Sequence, residues 1–344
     1  MNRAIALAAL ALLERRQDFA WVSILDTHGS SPGHPGASML VTIDGLAAGT
    51  IGGGPLEATC ITAAKATIAE QDQRLLQFDS GELGMTCGGG GQLLIEYVGG
   101  ASLPAHELFG ALAQLWEEGR RGWLVTMLPE QHHLSLPVHR CLVDSTGQVT
   151  GTAVRPLKDL QALAARGGTY DRPAAEDPAR LYVQAVGTHG KAYVFGAGHC
   201  GHSLVPLLTT LGFHTTVIDD RPEFANQARF PTADRIQVAD SFAGVMQLLD
   251  VDDNGYLIIL TRGHAHDQTV LAQALHTPAA YIGMIGSSMK VAETFKALGE
   301  EGFSAEELAR VHSPIGLSIG AETPQEIAVS IAAELIQVRS SRTG

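Results

Sequence analysis

The sequence is short of positive charge: 23 Lys and Arg stand against 36 Asp and Glu, for a formal charge of -13. Long-range repulsion from any polyanion follows, so nucleic acid and anionic membrane surfaces are excluded as partners. Cysteine is also scarce. Cys60, Cys87, Cys141 and Cys200 contain no C-x-x-C pair, which excludes a zinc knuckle and a disulfide framework and fits a reducing cytoplasm. No apolar run approaches the ~20 residues of a membrane-spanning helix. The run from Ala4 to Leu13 follows Arg3 but ends in Glu14-Arg15-Arg16-Gln17-Asp18 without a small-residue cleavage site, so it reads as an opening helix, not a secretory signal. Internal repeats and low-complexity tracts are missing.

Glycine is what the chain has in quantity, with 39 among 344 residues. The length predicts two domains, with a boundary near residue 188 (1–187 and 188–344). In the first, Trp21 to Leu25, Met39 to Ile43, Gln92 to Tyr97, Trp123 to Met127 and Arg140 to Asp144 read as strands. Glu57 to Glu70 and Ala105 to Glu118 read as helices, Ser145-Thr146-Gly147 as a hairpin turn, and 167–178 as a loop. Strands that follow one another without a helix imply a mixed α/β domain. In the second, the short apolar runs Ala192 to Phe195, Thr215 to Asp219, Arg235 to Val238, Tyr256 to Leu260 and Tyr281 to Ile285 predict a Rossmann-like, doubly wound parallel sheet. A last helix is expected from a Thr323 cap, with Pro324 and Glu326 in its first turn, to about Val338.

Within the second domain, Gly196-Ala-Gly198-His199-Cys-Gly201 follows a strand and opens a helix. Gly196 suits the tight turn, Gly198 close approach to a pyrophosphate, and Gly201 helix-to-strand packing, while Asp219 falls where a carboxylate would meet a ribose hydroxyl. The glycines are also explicable by packing alone. His264, His266 and Asp267, at the carboxyl edge of the sheet with His199, form a candidate divalent metal or acid/base cluster, and Arg262 a candidate anion partner.

Three glycine-rich loops mark the first domain: Gly29 to Gly36, Gly49 to Glu57, and Gly84 to Gly91. Backbone approach to a common ligand is the economical explanation for all three, against ordinary turn glycines. Ser30, Ser31 and Thr50 offer hydroxyls, and Gly52-Gly53-Gly54 can present N–H groups to a phosphate. Cys141 reads as inert filling and Cys60 and Cys200 as undecided, whereas Cys87, followed by four glycines, can ligate a soft metal or hand on sulfur.

These motifs together resemble the xanthine dehydrogenase accessory proteins of the XdhC/CoxI family over nearly the whole chain. The resemblance rests on Gly29-Ser-Ser-Pro32, Gly-Thr-Ile-Gly-Gly-Gly-Pro-Leu-Glu57, Gly-Met-Thr-Cys-Gly-Gly89, Phe-Gly-Ala-Gly-His-Cys-Gly201, Asp219-Asp-Arg-Pro-Glu-Phe224, Thr-Arg-Gly-His-Ala-His-Asp267 and Tyr281-Ile-Gly-Met-Ile-Gly-Ser287. It implies a cytoplasmic helper in purine catabolism that binds the molybdenum cofactor (molybdopterin), protects it while a cysteine desulfurase adds the sulfido ligand, and delivers it to a molybdenum hydroxylase apo-enzyme. A homodimer is the expected assembly. By the same resemblance Cys87 is the candidate catalytic thiol, and Glu57 and His199 complete the cofactor-binding set. Many relatives carry a basic residue just after the Ser-Pro step, where this chain has Gly33-His34, which implies weaker or pH-dependent anion affinity at that loop. The alternatives are an NAD(P)-dependent oxidoreductase using the second domain, or another nucleotide bound there, and a scaffold that binds only protein.

Overall fold

The computed structural model describes residues 1–81, 88–128, 138–152, 169–170 and 180–343. The chain divides into two compact units, Met1–Gly187 and Thr188–Gly344. No helix among the described residues is long and apolar enough to cross a membrane.

The first unit opens with helix α1 (Arg3–Glu14), capped by the Asn2 side chain on the Ile5 amide. Strands β1 (Phe19–His28), β2 (Ser38–Thr42) and β3 (Gly45–Thr50) lead to α2 (Gly54–Glu70), then β4 (Gln73–Asp79) and β5 (Gly90–Val98). They form an antiparallel sheet in the order β3-β2-β1-β5-β4. Alternate β1 residues bury in opposite directions. Phe19 and Trp21 join α1 in one cluster, and Ala20, Val22 and Ile24 join α2 in another, which is why this central strand reads as a continuous apolar run. After α3 (Leu103–Glu117), strands β6 (Arg121–Leu128), β7 (His139–Asp144), β8 (Val149–Gly151), β9 (Thr169–Tyr170) and β10 (Arg180–Gly187) make a second antiparallel sheet in the order β8-β7-β6-β10-β9. The hairpin at Ser145-Thr146-Gly147 is present, closed by the Gly147 amide on the Asp144 carbonyl. The loop read at 167–178 lies largely outside the described residues, apart from β9.

The second unit runs β11 (Lys191–Phe195), α4 (His199–Thr210), β12 (His214–Asp219), β13 (Arg235–Val238), β14 (Gly255–Ile259), α5 (His264–Leu275), β15 (Tyr281–Met284), α6 (Ser288–Glu300), α7 (Ala305–Leu308), β16 (Val311–His312) and α8 (Pro324–Thr343). Its six strands are all parallel, in the order β13-β12-β11-β14-β15-β16. This is the doubly wound 3-2-1-4-5-6 arrangement, whose switch point lies between β11 and β14. Leu204 and Leu208 of α4 pack with Ile331 and Leu335 of α8 over one face, and Val270 and Leu271 of α5 with Leu298 of α6 over the other. The cap of α8 forms as read: the Glu326 amide donates to Thr323 Oγ1 and the Thr323 amide to Glu326 Oε2. The helix runs one turn beyond Val338.

Candidate functional site

In the first unit the loop that begins at Gly29 docks against both other glycine-rich loops. A Cβ at Gly33 would lie 2.5 Å from the Ile51 carbonyl oxygen, and one at Gly52 2.5 Å from that of Pro32. A Cβ at Gly89 would lie 2.5 Å from the His28 oxygen and 2.6 Å from that of Ser30. These glycines are required because loop backbone packs on loop backbone, which corrects the reading that ligand approach alone explains them. Gly53 and Gly88 differ: the space beside each is open.

Glu57, expected to contact a ligand, instead holds its own loop. Its Oε2 accepts from Thr50 Oγ1 at 2.7 Å, Gly53 N at 3.2 Å and Ile51 N at 3.3 Å, and the Gly52 amide donates to Thr50 Oγ1. The carboxylate therefore sits near the N-terminus of α2 where an exogenous anion was anticipated. Gly54 is the first residue of that helix, and Ser30 is exposed. Ser31 Oγ is buried without a hydrogen-bond partner among the described residues. Cys87 lies outside the described residues; its neighbour in sequence, Gly88, packs against Gly29. The remaining thiols are poor nucleophiles. Burial and the Glu57 carboxylate push Cys60 up to about 12, burial pushes Cys141 up to about 11, and burial also raises Cys200.

In the second unit two of the turn glycines do the work the sequence suggests, Gly196 in the turn and Gly201 in packing. Gly196 has φ +117°, and a Cβ there would lie 2.2 Å from the Leu260 carbonyl oxygen. At Gly201 a Cβ would lie 2.2 Å from the Gly196 oxygen, which fixes α4 against the turn. Gly198 caps α4 without a side-chain bond and faces open space, with His199 exposed beside it. The amide end of α4 is thus accessible.

Asp219 corrects the ribose reading. It is 1% exposed, and both oxygens are engaged: Oδ2 by Ala197 N at 2.7 Å and Arg221 Nη2 at 3.0 Å, Oδ1 by Arg221 Nε at 2.8 Å and Arg221 N at 3.1 Å. Burial acts to raise the carboxyl, but the Arg221 guanidinium and the two amides outweigh it and hold it below the ordinary range. Its work is to lock the glycine turn.

Asp267 of the candidate metal cluster is likewise committed within the fold. Asp267 is fully buried, with Oδ1 accepting from the Thr261 amide and hydroxyl and Oδ2 paired with Lys290 Nζ at 2.6 Å. The His266 ring packs on Phe242 at 5.3 Å, and His264 opens α5, its side chain outside the described set. Among the described residues no group of three His, Cys, Asp or Glu is arranged to hold a metal ion. Arg262 does find an anion, the Asp220 carboxylate at 2.8 Å. Lys290, 23 residues beyond Asp267, had no sequence signal, because nothing local links it to that loop.

Two family models match the chain: the XdhC and CoxI family over residues 12–79, and the XdhC Rossmann domain over residues 192–335. An uncharacterized protein of Escherichia coli K12, YqeB, is 27% identical over 98% of this chain, which spans about half (46%) of that protein's length. A probable xanthine dehydrogenase subunit from Bacillus subtilis is 26% identical over 96% of both chains. A crystal structure described as a xanthine dehydrogenase from Bacillus halodurans superposes with a TM-score of 0.80 at 26% identity, covering 99% of this chain and 97% of the other. With each model falling on one structural unit, and both relatives and fold in agreement, the chain belongs to the XdhC and CoxI family.

Proposed function

We propose that this protein is an accessory of a xanthine dehydrogenase-type molybdenum hydroxylase: it receives the molybdenum cofactor as cargo, holds it while a cysteine desulfurase supplies sulfur, and passes it to the apo-enzyme in the cytoplasm. The observation that carries this reading is the meeting of the three glycine-rich loops in one unit, with donors left over. Ser31 Oγ is a buried hydroxyl with no partner among the described residues, and the space beside Gly53 and Gly88 is open, so a pterin phosphate or carbonyl fits the groups present. Cys87, next to Gly88 in sequence, is the candidate soft ligand for the metal. The family relationship supplies the client class.

Co-expression tests this directly. A xanthine dehydrogenase-type hydroxylase produced with the chain is expected to gain at least ~10-fold in activity over the hydroxylase alone, and Ser31→Ala to lose most of that gain, since a ligand bond formed in a dry site is worth ~1.5–3 kcal/mol when charged. Equal client activity with and without the chain contradicts the proposal.

The oxidoreductase reading loses its ribose-binding carboxylate, because Asp219 is already engaged by Ala197 and Arg221. Calorimetric titration with NAD and NADP is therefore expected to give no saturable heat. Saturable NAD binding that Gly198→Val abolishes would restore that reading.

A further inference from the structure

A cavity in the first unit lies against buried donors that none of the described residues satisfies. Trp21 on β1 stands opposite Glu96 on β5, and Arg140 on β7 stands opposite Thr126 on β6. The Arg140 side chain, only 5% exposed, crosses from the second sheet to the first. It donates from Nε to Glu96 Oε2 at 2.8 Å and from Nη1 to Thr126 Oγ1 at 3.1 Å, and its guanidinium carbon sits 3.7 Å from the centroid of the Trp21 ring. Arg140 Nη2 and Trp21 Nε1 are both buried with no hydrogen-bond partner among the described residues. An orphaned buried donor costs ~1–3 kcal/mol, so a stacked pair of them asks for an acceptor from outside the chain.

Trp21, Glu96 and Arg140 line a cavity of about 210 Å³ whose apolar wall is Pro104, Leu108 and Phe109 of α3. That is far more than the ~10–15 Å³ one water needs, yet below the ~300 Å³ of a drug-sized pocket. The occupant is therefore small. Charge narrows it further. Glu96 already offsets Arg140, and a third full charge would cost several kcal/mol of desolvation, so a neutral acceptor is favoured. The Glu96 carboxylate keeps lone pairs beyond the one taken by Arg140, so it can accept from an N–H on the same ligand.

We infer that this cavity binds a small neutral cyclic amide, its carbonyl oxygen taking Trp21 Nε1–H and Arg140 Nη2–H, its neighbouring N–H facing Glu96, and its ring lying on the α3 wall. The inference stands apart from the glycine-loop reading, because none of the cavity residues named here belongs to those loops.

Indole-15N labelling of the full chain reports on it, since there are only three tryptophans. Titration with 2-pyridone is expected to move the Trp21 indole resonance downfield and to saturate, while benzoate at equal concentration leaves it in place. Trp21→Phe keeps a ring beneath the guanidinium but removes the donor, and ligand-detected NMR on that variant is expected to show affinity lower by about 10-fold. A Trp21 resonance unmoved by 2-pyridone, saturation by benzoate instead, or undiminished pyridone affinity in Trp21→Phe would each overturn the assignment.

Discussion

Asp267→Ala is expected to lower the thermal midpoint of the second unit by about 10 °C, the largest single effect anticipated in that unit. The variant leaves the Lys290 ammonium, 16% exposed, without its counter-ion and strips the Thr261 amide and hydroxyl of their acceptor. Breaking a buried pair from one side costs ~3–5 kcal/mol, and a unit of this size loses ~2–4 °C per kcal/mol. Asp267→Asn keeps an acceptor for Thr261 but not the charge, so it should fall between Ala and wild type. Chelation by EDTA separates this account from a metal site: the midpoint of the wild type should not move. A drop on chelation as large as that of Asp267→Ala would return His264, His266 and Asp267 to a metal-binding role.

In the first unit, Gly52→Ala is expected to cost ~2–4 kcal/mol, while Gly53→Ala, one residue on, costs ~1 kcal/mol. Both glycines have positive φ, +115° and +75°, so both variants carry backbone strain. Only at Gly52 does the new methyl also meet backbone, 2.5 Å from the Pro32 carbonyl oxygen and 2.6 Å from its carbon. That contact joins two of the three loops, so Gly52→Ala should also abolish activation of a co-expressed hydroxylase. Urea unfolding of both variants measures the difference. Equal destabilisation would mean the loops do not rest on each other as described.

The regular elements were readable because their signals are local. Apolar runs such as Val194 and Phe195 or Leu257 to Ile259 sit at strand spacing, and Thr323 with Glu326 marks a helix start within one turn. Strands β3, β4, β8, β9 and β16 were not readable. Gly45–Thr50 is mostly alanine and glycine on a half-exposed edge, Gln73–Asp79 carries charges at both ends, and Val311–His312 is two residues long. Site residues split along the same line. The jobs of Gly196 and Gly201 follow from spacing, since a strand-turn-helix leaves few options for the backbone. Whether a carboxylate is free depends on what lies across from it in space. Asp219 and Glu57 hold their own loops, and the partner of Asp267 lies in another helix. Glycine-rich loops likewise could be counted in the sequence, but the neighbour facing each absent Cβ belongs to a different loop.

Elemental and pterin analysis of the protein purified from a molybdenum-replete host tests the central proposal most directly. Close to one molybdenum and one pterin per chain are expected, falling several-fold in Ser31→Ala and in Cys87→Ala, with Cys87→Ala melting like the wild type. Protein free of both molybdenum and pterin, recovered from cells in which a co-expressed hydroxylase is fully loaded, would contradict it.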